Sequence, residues 1–155
     1  MMIAPTRVRN PQAVLFACAL NAVRSPMAAS LLQQMFPQLY VKSAGVRKGE
    51  LDPFAVSVMA ELGQDISKHK PTTFEELEDW EGLNFDLIIT LSPEAHHKAL
   101  ELTRTLAADV EYWPTHDPST SDGNREQKMD AYREVCDQLL LRIRRRFAKV
   151  GAASG

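Results

Sequence analysis

Cysteine is scarce in this sequence: there are two, Cys18 and Cys136, among 155 residues. Two cysteines exclude a disulfide framework and suit a reducing, cytoplasmic compartment. Charge of one sign is lacking too. Lys and Arg total 18 against 20 Asp and Glu, a formal net charge of -2, which gives a nucleic-acid partner no electrostatic footprint. No apolar run approaches membrane-spanning length, so no membrane partner is expected. The opening MMIAPTRVRNPQ lacks the apolar core of a secretory signal. The glycine-rich loops of dinucleotide and nucleoside triphosphate sites are missing. His96-His97 lacks a third ligand at metal spacing, and Glu94-x-x-His97 has no second copy, so neither metal nor cofactor is expected.

The chain length fits one domain able to bury its own core. The expected organisation is a flexible N-terminus over 1–12, a single domain over 13–150 and a disordered tail over 151–155. The cationic stretch Arg142, Arg144, Arg145, Arg146 and Lys149 reads as the solvated end of a last helix, complementing its dipole. Nothing in the pattern addresses the oligomeric state.

Apolar runs at 13–18 and 86–91, an alternating stretch at 39–43 and a shorter run at 109–113 predict four strands. Between them lie helical patterns. Ser25 reads as the N-cap of a first helix with Pro26 in its first turn, and Pro37 ends it. Asp52-Pro53 opens a second helix that stops at Gly63. Thr73 and Glu76 form a capping-box pair for a short helix through Glu78. Ser92-Pro93 caps a long helix with Ala95, Ala99, Leu102 and Leu106 on one face. The last helix carries Met129, Tyr132, Cys136, Leu139, Leu140, Ile143 and Phe147 on one stripe. This alternation predicts an α/β fold, a flavodoxin-like three-layer sandwich with a four-stranded parallel sheet. Ligands in such folds sit at the carboxyl ends of the strands, here at 18–25, 43–47, Ser92 and 114–124.

The first of those segments carries chemistry. Cys18 is followed by Ala19, Leu20, Asn21, Ala22, Val23, Arg24 and Ser25, between a strand and a helix. A loop of this length can turn its amides toward one point, with a helix N-terminus behind it. Arg24 adds a planar fork suited to two phosphate oxygens. The same field favours the thiolate of Cys18, a nucleophile at the base of an anion cradle. Asp117-Pro118, beyond the fourth strand, reads by itself as a turn or helix start.

The stretch Val14 to Cys18 through Arg24-Ser25-Pro26-Met27-Ala28 resembles the signature of the low-molecular-weight protein tyrosine phosphatases. So do Ser43-Ala44-Gly45, Ile66-Ser67-Lys68-His69 after Leu62-Gly63, the strand starting Phe85-Asp86, and His116-Asp117-Pro118. The resemblance implies a phosphocysteine on Cys18, phosphoryl binding by Arg24, and Asp117 as general acid and later base. It implies a supporting network of Asn21, Ser25, Ser43 and His69, and a phosphorylated protein or small aryl phosphate as partner.

The chain departs from that pattern at three places. Leu20 stands where the family usually has glycine, which would be strained if φ there were positive. Val23 replaces a frequent second cysteine. Ser119-Thr120 replaces aromatic residues that often follow the Asp-Pro pair, leaving Leu20 and residues 46–54 as candidates for a pocket wall. Two alternatives stay open: arsenate reduction on the same scaffold, and a phosphate-binding module without turnover. Arsenate reductases of this fold carry further cysteines after the third strand, where this chain has Leu91-Ser92-Pro93.

Overall fold

The computed structural model describes the backbone of residues 10–153 and the side chains of residues 10–147. Most of the segment expected to be flexible, residues 1–9, lies outside the described residues. Gln12 is tied to the sheet, its N–H donating to Asp86 Oδ2 at 2.9 Å. Of the expected tail, residues 154–155 lie outside the described residues and 151–153 continue the last helix.

Four strands, β1 (Ala13–Cys18), β2 (Tyr40–Gly45), β3 (Leu87–Thr90) and β4 (Asp109–Tyr112), form one parallel sheet in the order β2-β1-β3-β4. Successive side chains of a strand point to opposite faces, and β1 shows it. Val14, Phe16 and Cys18 face a layer built from α1 (Arg24–Met35), α2 (Pro53–Glu61) and α5 (Arg125–Ala153). Leu15 and Ala17 face α3 (Phe74–Glu81) and α4 (Pro93–Leu102). Residues 14–17 are fully buried, as the central strand of a sheet covered on both faces requires. This is the expected flavodoxin-like sandwich. Among the described residues no helix is long and apolar enough to cross a membrane.

Most helix boundaries follow from local chemistry. Asp52 Oδ1 accepts from Phe54 N at 2.8 Å and starts α2. Gly63, at φ +77°, follows its end. Thr73 and Glu76 form the capping box of α3, which runs on to Glu81. Ser92 Oγ accepts from Ala95 N at the start of α4. That helix ends at Leu102, short of Leu106. There the Thr103 and Thr105 hydroxyls bond nearby carbonyls, a local alternative to the helical ladder.

The chain leaves β1 toward β2 on one side and returns to place β3 on the other. The carboxyl ends of β1 and β3 therefore flank a topological switch point, where open α/β sheets bind ligands.

Candidate active site

The segment after β1 occupies that switch point, and its backbone has a definite orientation. The carbonyls of Cys18, Ala19, Leu20 and Ala22 accept from the N–H groups of Val46, Arg47, Gly49 and Asp52, at 3.3, 2.9, 3.0 and 3.2 Å. The Asn21 carbonyl lies 3.0 Å from His69 Nε2. Five consecutive peptide units are thus held by their carbonyls. In a planar trans peptide the N–H points opposite to the C=O, so the N–H groups of residues 19–23 turn to the other side. That side carries a cavity of about 160 Å³ lined by Cys18, Leu20, Ala22, Val23, Arg24, Glu50, Asp52, Asp117 and Ser119. The sulfur, the guanidinium-bearing residue and the Asp-Pro carboxylate therefore share one hollow.

Asn21 makes the turn. It is the one non-glycine residue at positive φ among the described residues, at 55°, and asparagine tolerates that region better than most side chains. Its side chain is fully buried and each of its amide groups is engaged. Nδ2 donates to Ser25 Oγ and Ser43 Oγ, both at 2.9 Å, and Oδ1 accepts from Thr72 N at 2.8 Å. Since Ser25 Oγ accepts from Asn21, its own proton is free for Cys18 Sγ, 2.9 Å away. Ser25 is thereby not the N-cap of α1. The helix begins at Arg24, with Val23 at the cap position and no capping side chain, because the Ser25 hydroxyl is engaged by the loop.

Leu20 is not at positive φ, so its side chain carries no left-handed strain. It is partly exposed at the mouth. Gly45 explains how the loop packs so close to β2. A Cβ there would meet Arg47 O at 2.6 Å, Asn21 N at 2.8 Å and the Leu20 carbonyl carbon at 2.9 Å, all backbone atoms.

Arg24 is buried, and Nη1 donates to Thr115 O at 3.0 Å. Nη2 lies 3.9 Å from Asp117 Oδ2. The other Asp117 oxygen, Oδ1, accepts from Ser119 N and Oγ at 2.9 and 2.7 Å. This orients the carboxylate with one oxygen toward the guanidinium. His69 must donate from Nε2, because a carbonyl only accepts. Burial lowers its pKa below the ordinary value, and the bond to Asn21 opposes that shift.

The sequence pattern gave Gly45 and Thr72 no role at the site, and placed Asp52 there only within the candidate wall over 46–54. Asp52 lines the cavity, caps α2, and accepts from Tyr132 Oη at 2.5 Å. Burial and that carboxylate push the Tyr132 phenol well above its usual range. The wall proposed over 46–54 is supplied in part: Glu50 and Asp52 reach the cavity. Phe54 instead lines an adjoining hollow with Pro118 and Tyr132, stacked on Tyr132 at 5.3 Å. Trp113 is core packing, edge-on to Phe16 at 6.0 Å.

The family described as low molecular weight phosphotyrosine protein phosphatase matches residues 13–153. An arsenate reductase of Bacillus licheniformis is 32% identical over 144 residues, covering 92% of this chain and 99% of the relative. A probable low molecular weight protein-tyrosine-phosphatase, EpsP, of Ralstonia solanacearum is 48% identical over 62 residues, 37% of this chain and 41% of that one. The crystal structure of an arsenate reductase from Archaeoglobus fulgidus superposes with a TM-score of 0.65 at 27% identity, covering 85% of this chain and 96% of that one.

Proposed function

Since this chain belongs to the low molecular weight phosphotyrosine protein phosphatase family, we propose that it hydrolyses phosphomonoesters through a phosphocysteine on Cys18. One observation carries the reading: the carbonyls of residues 18–22 are all held by the rest of the chain, which turns the intervening N–H groups toward the hollow lined by Cys18 and Arg24.

The Cys18 thiolate attacks phosphorus as the ester P–O bond breaks, and Asp117 gives its proton to the leaving oxygen. Arg24 and the loop N–H groups stabilise the equatorial oxygens as charge shifts onto them. Water then attacks the phosphocysteine, the S–P bond breaks, and the Asp117 carboxylate takes the proton from water. Ser25, donating to Sγ, stabilises the thiolate as it leaves. Asn21, Ser43 and His69 are positioning residues that hold the loop. The substrate class is a phosphorylated protein or a small aryl phosphate, met in a reducing compartment such as the cytoplasm that keeps Cys18 a thiol.

A second reading is arsenate reduction, favoured by the names of several full-length relatives. It requires thiols to resolve the first adduct and supply two electrons. Cys136, the second cysteine, is buried on α5, and burial pushes its thiol up to about 11, which makes it a poor resolving nucleophile. Hydrolysis needs no second thiol, and this decides our preference. Steady-state assays with an aryl phosphate, a phosphotyrosine peptide, and arsenate with glutathione separate the readings. Phosphate release without arsenate-dependent thiol oxidation is expected. Arsenate-dependent oxidation with no phosphate release would reverse the assignment, and oxyanion binding with neither activity would leave a binding module.

A further inference from the structure

A cavity of about 520 Å³ lies on the other side of the loop, between α1, the β2 edge and α3. Its wall includes Val41 and Ser43 of β2, together with His69, Thr72 and Trp80. β2 is an edge strand, paired to β1 alone within the sheet. In a parallel ladder alternate residues direct both backbone groups to the same neighbour. Tyr40 N donates to Gln12 O, toward β1, while Gly45 N donates outward to Thr72 O. The N–H and C=O groups of Val41 and Ser43 therefore also point outward, into this cavity. Neither residue's backbone finds a partner outside the sheet among the described residues.

The chain itself shows what the edge accepts: at Gly45, the segment at Thr72–Thr73 pairs as a parallel bridge. It then leaves the edge, and the two rungs at Ser43 and Val41 stay open. Trp80 stands at the rim with 68% of its surface exposed. Lys70, also on the wall, has no ion pair among the described residues, whereas Lys42 is paired with Glu81.

We propose that this groove binds an extended peptide segment of a partner protein by strand addition to Val41–Ser43, with an acidic side chain at Lys70 and an apolar one against Trp80. Open alternate rungs call for a partner presenting its own backbone donors and acceptors. A segment of about four residues, roughly 13 Å long when extended, covers both rungs. The groove also touches the loop's supports: Ser43, His69 and Thr72 each bond Asn21. An occupant is thus felt at Asn21.

The test is NMR titration of the full chain with the capped peptide Ac-Val-Glu-Val-Glu-Val-NH2, its N-methylated twin and its Lys-for-Glu analogue. With the first peptide, the Val41 and Ser43 amides should shift and exchange more slowly, and the Asn21 side-chain amide should move. N-methylation at the pairing residues and Trp80→Ala should each weaken binding at least about tenfold, and the Lys analogue should bind more weakly. Equal binding by the N-methylated twin, or no change at Val41 and Ser43 with millimolar peptide, overturns the proposal. So does self-association of the free chain through this edge, which would make a second copy the occupant. These readouts do not depend on turnover, so they stand or fall apart from the phosphatase assignment.

Discussion

The two sides of the loop after β1 differ in what their polar groups are doing. On the supporting side the groups are already engaged: five carbonyls are held, and Asn21 bonds Ser25, Ser43 and Thr72. On the cavity side the N–H groups of residues 19–23 are directed toward a hollow shared with Cys18, Arg24 and Asp117. The difference teaches how a short loop keeps several donors pointing one way. Each donor is aimed by anchoring the carbonyl of its own peptide plane, so rigidity on one side becomes readiness on the other.

The largest effect should come from removing chemistry on the cavity side while sparing the support. Cys18→Ser should abolish turnover yet retain phosphate or vanadate binding by calorimetry; hydrolysis surviving this change would reject the covalent route. Asp117→Ala comes next. It should slow esters with poor leaving groups by about 10²–10⁴-fold and activated aryl esters far less. Equal slowing across a leaving-group series would remove Asp117 from the acid role.

Striking the supporting side should act differently, through loop geometry. Gly45→Ala forces a methyl group into the Asn21 and Leu20 backbone, and should cost on the order of 1–3 kcal/mol in denaturant unfolding together with oxyanion affinity. Unchanged affinity would show that the cavity side does not depend on this contact. The smallest effect concerns His69. Its folded pKa is lowered, so the unfolded chain binds more protons just below the ordinary histidine value. Stability should therefore fall as pH drops through about 6.5 toward the folded value. His69→Gln should remove that component of the pH–stability profile, and an unaltered profile would show that His69 is not its source.

Much of this architecture could be read from local pattern, because its causes are local. The buried run at 13–18, the Thr73–Glu76 capping box and the Ser92 cap each rest on residues a few positions apart. The grouping of Cys18, Arg24 and Asp117 followed from strand order and from family resemblance. What stayed hidden depends on distant pairing. No pattern at 18–25 shows that Val46, Arg47, Gly49 and Asp52 will take its carbonyls, or that Gly45 must lack a side chain for the loop to pass. Ser25 was misread as a cap because Ser-Pro is a sound helix start. Asn21, 4 residues earlier, claims its hydroxyl instead. Leu20 likewise escapes strain, since the positive φ falls one residue later, at Asn21.

The outward anchoring of the carbonyls has one more consequence. A peptide group whose N–H meets an anion becomes more polarised, and its oxygen becomes a stronger acceptor. Loading the hollow should thus tighten the bonds to Val46, Arg47, Gly49 and Asp52 on the far side of each plane. The backbone N–H groups of Val46, Arg47, Gly49 and Asp52 thereby become reporters of occupancy from behind the loop.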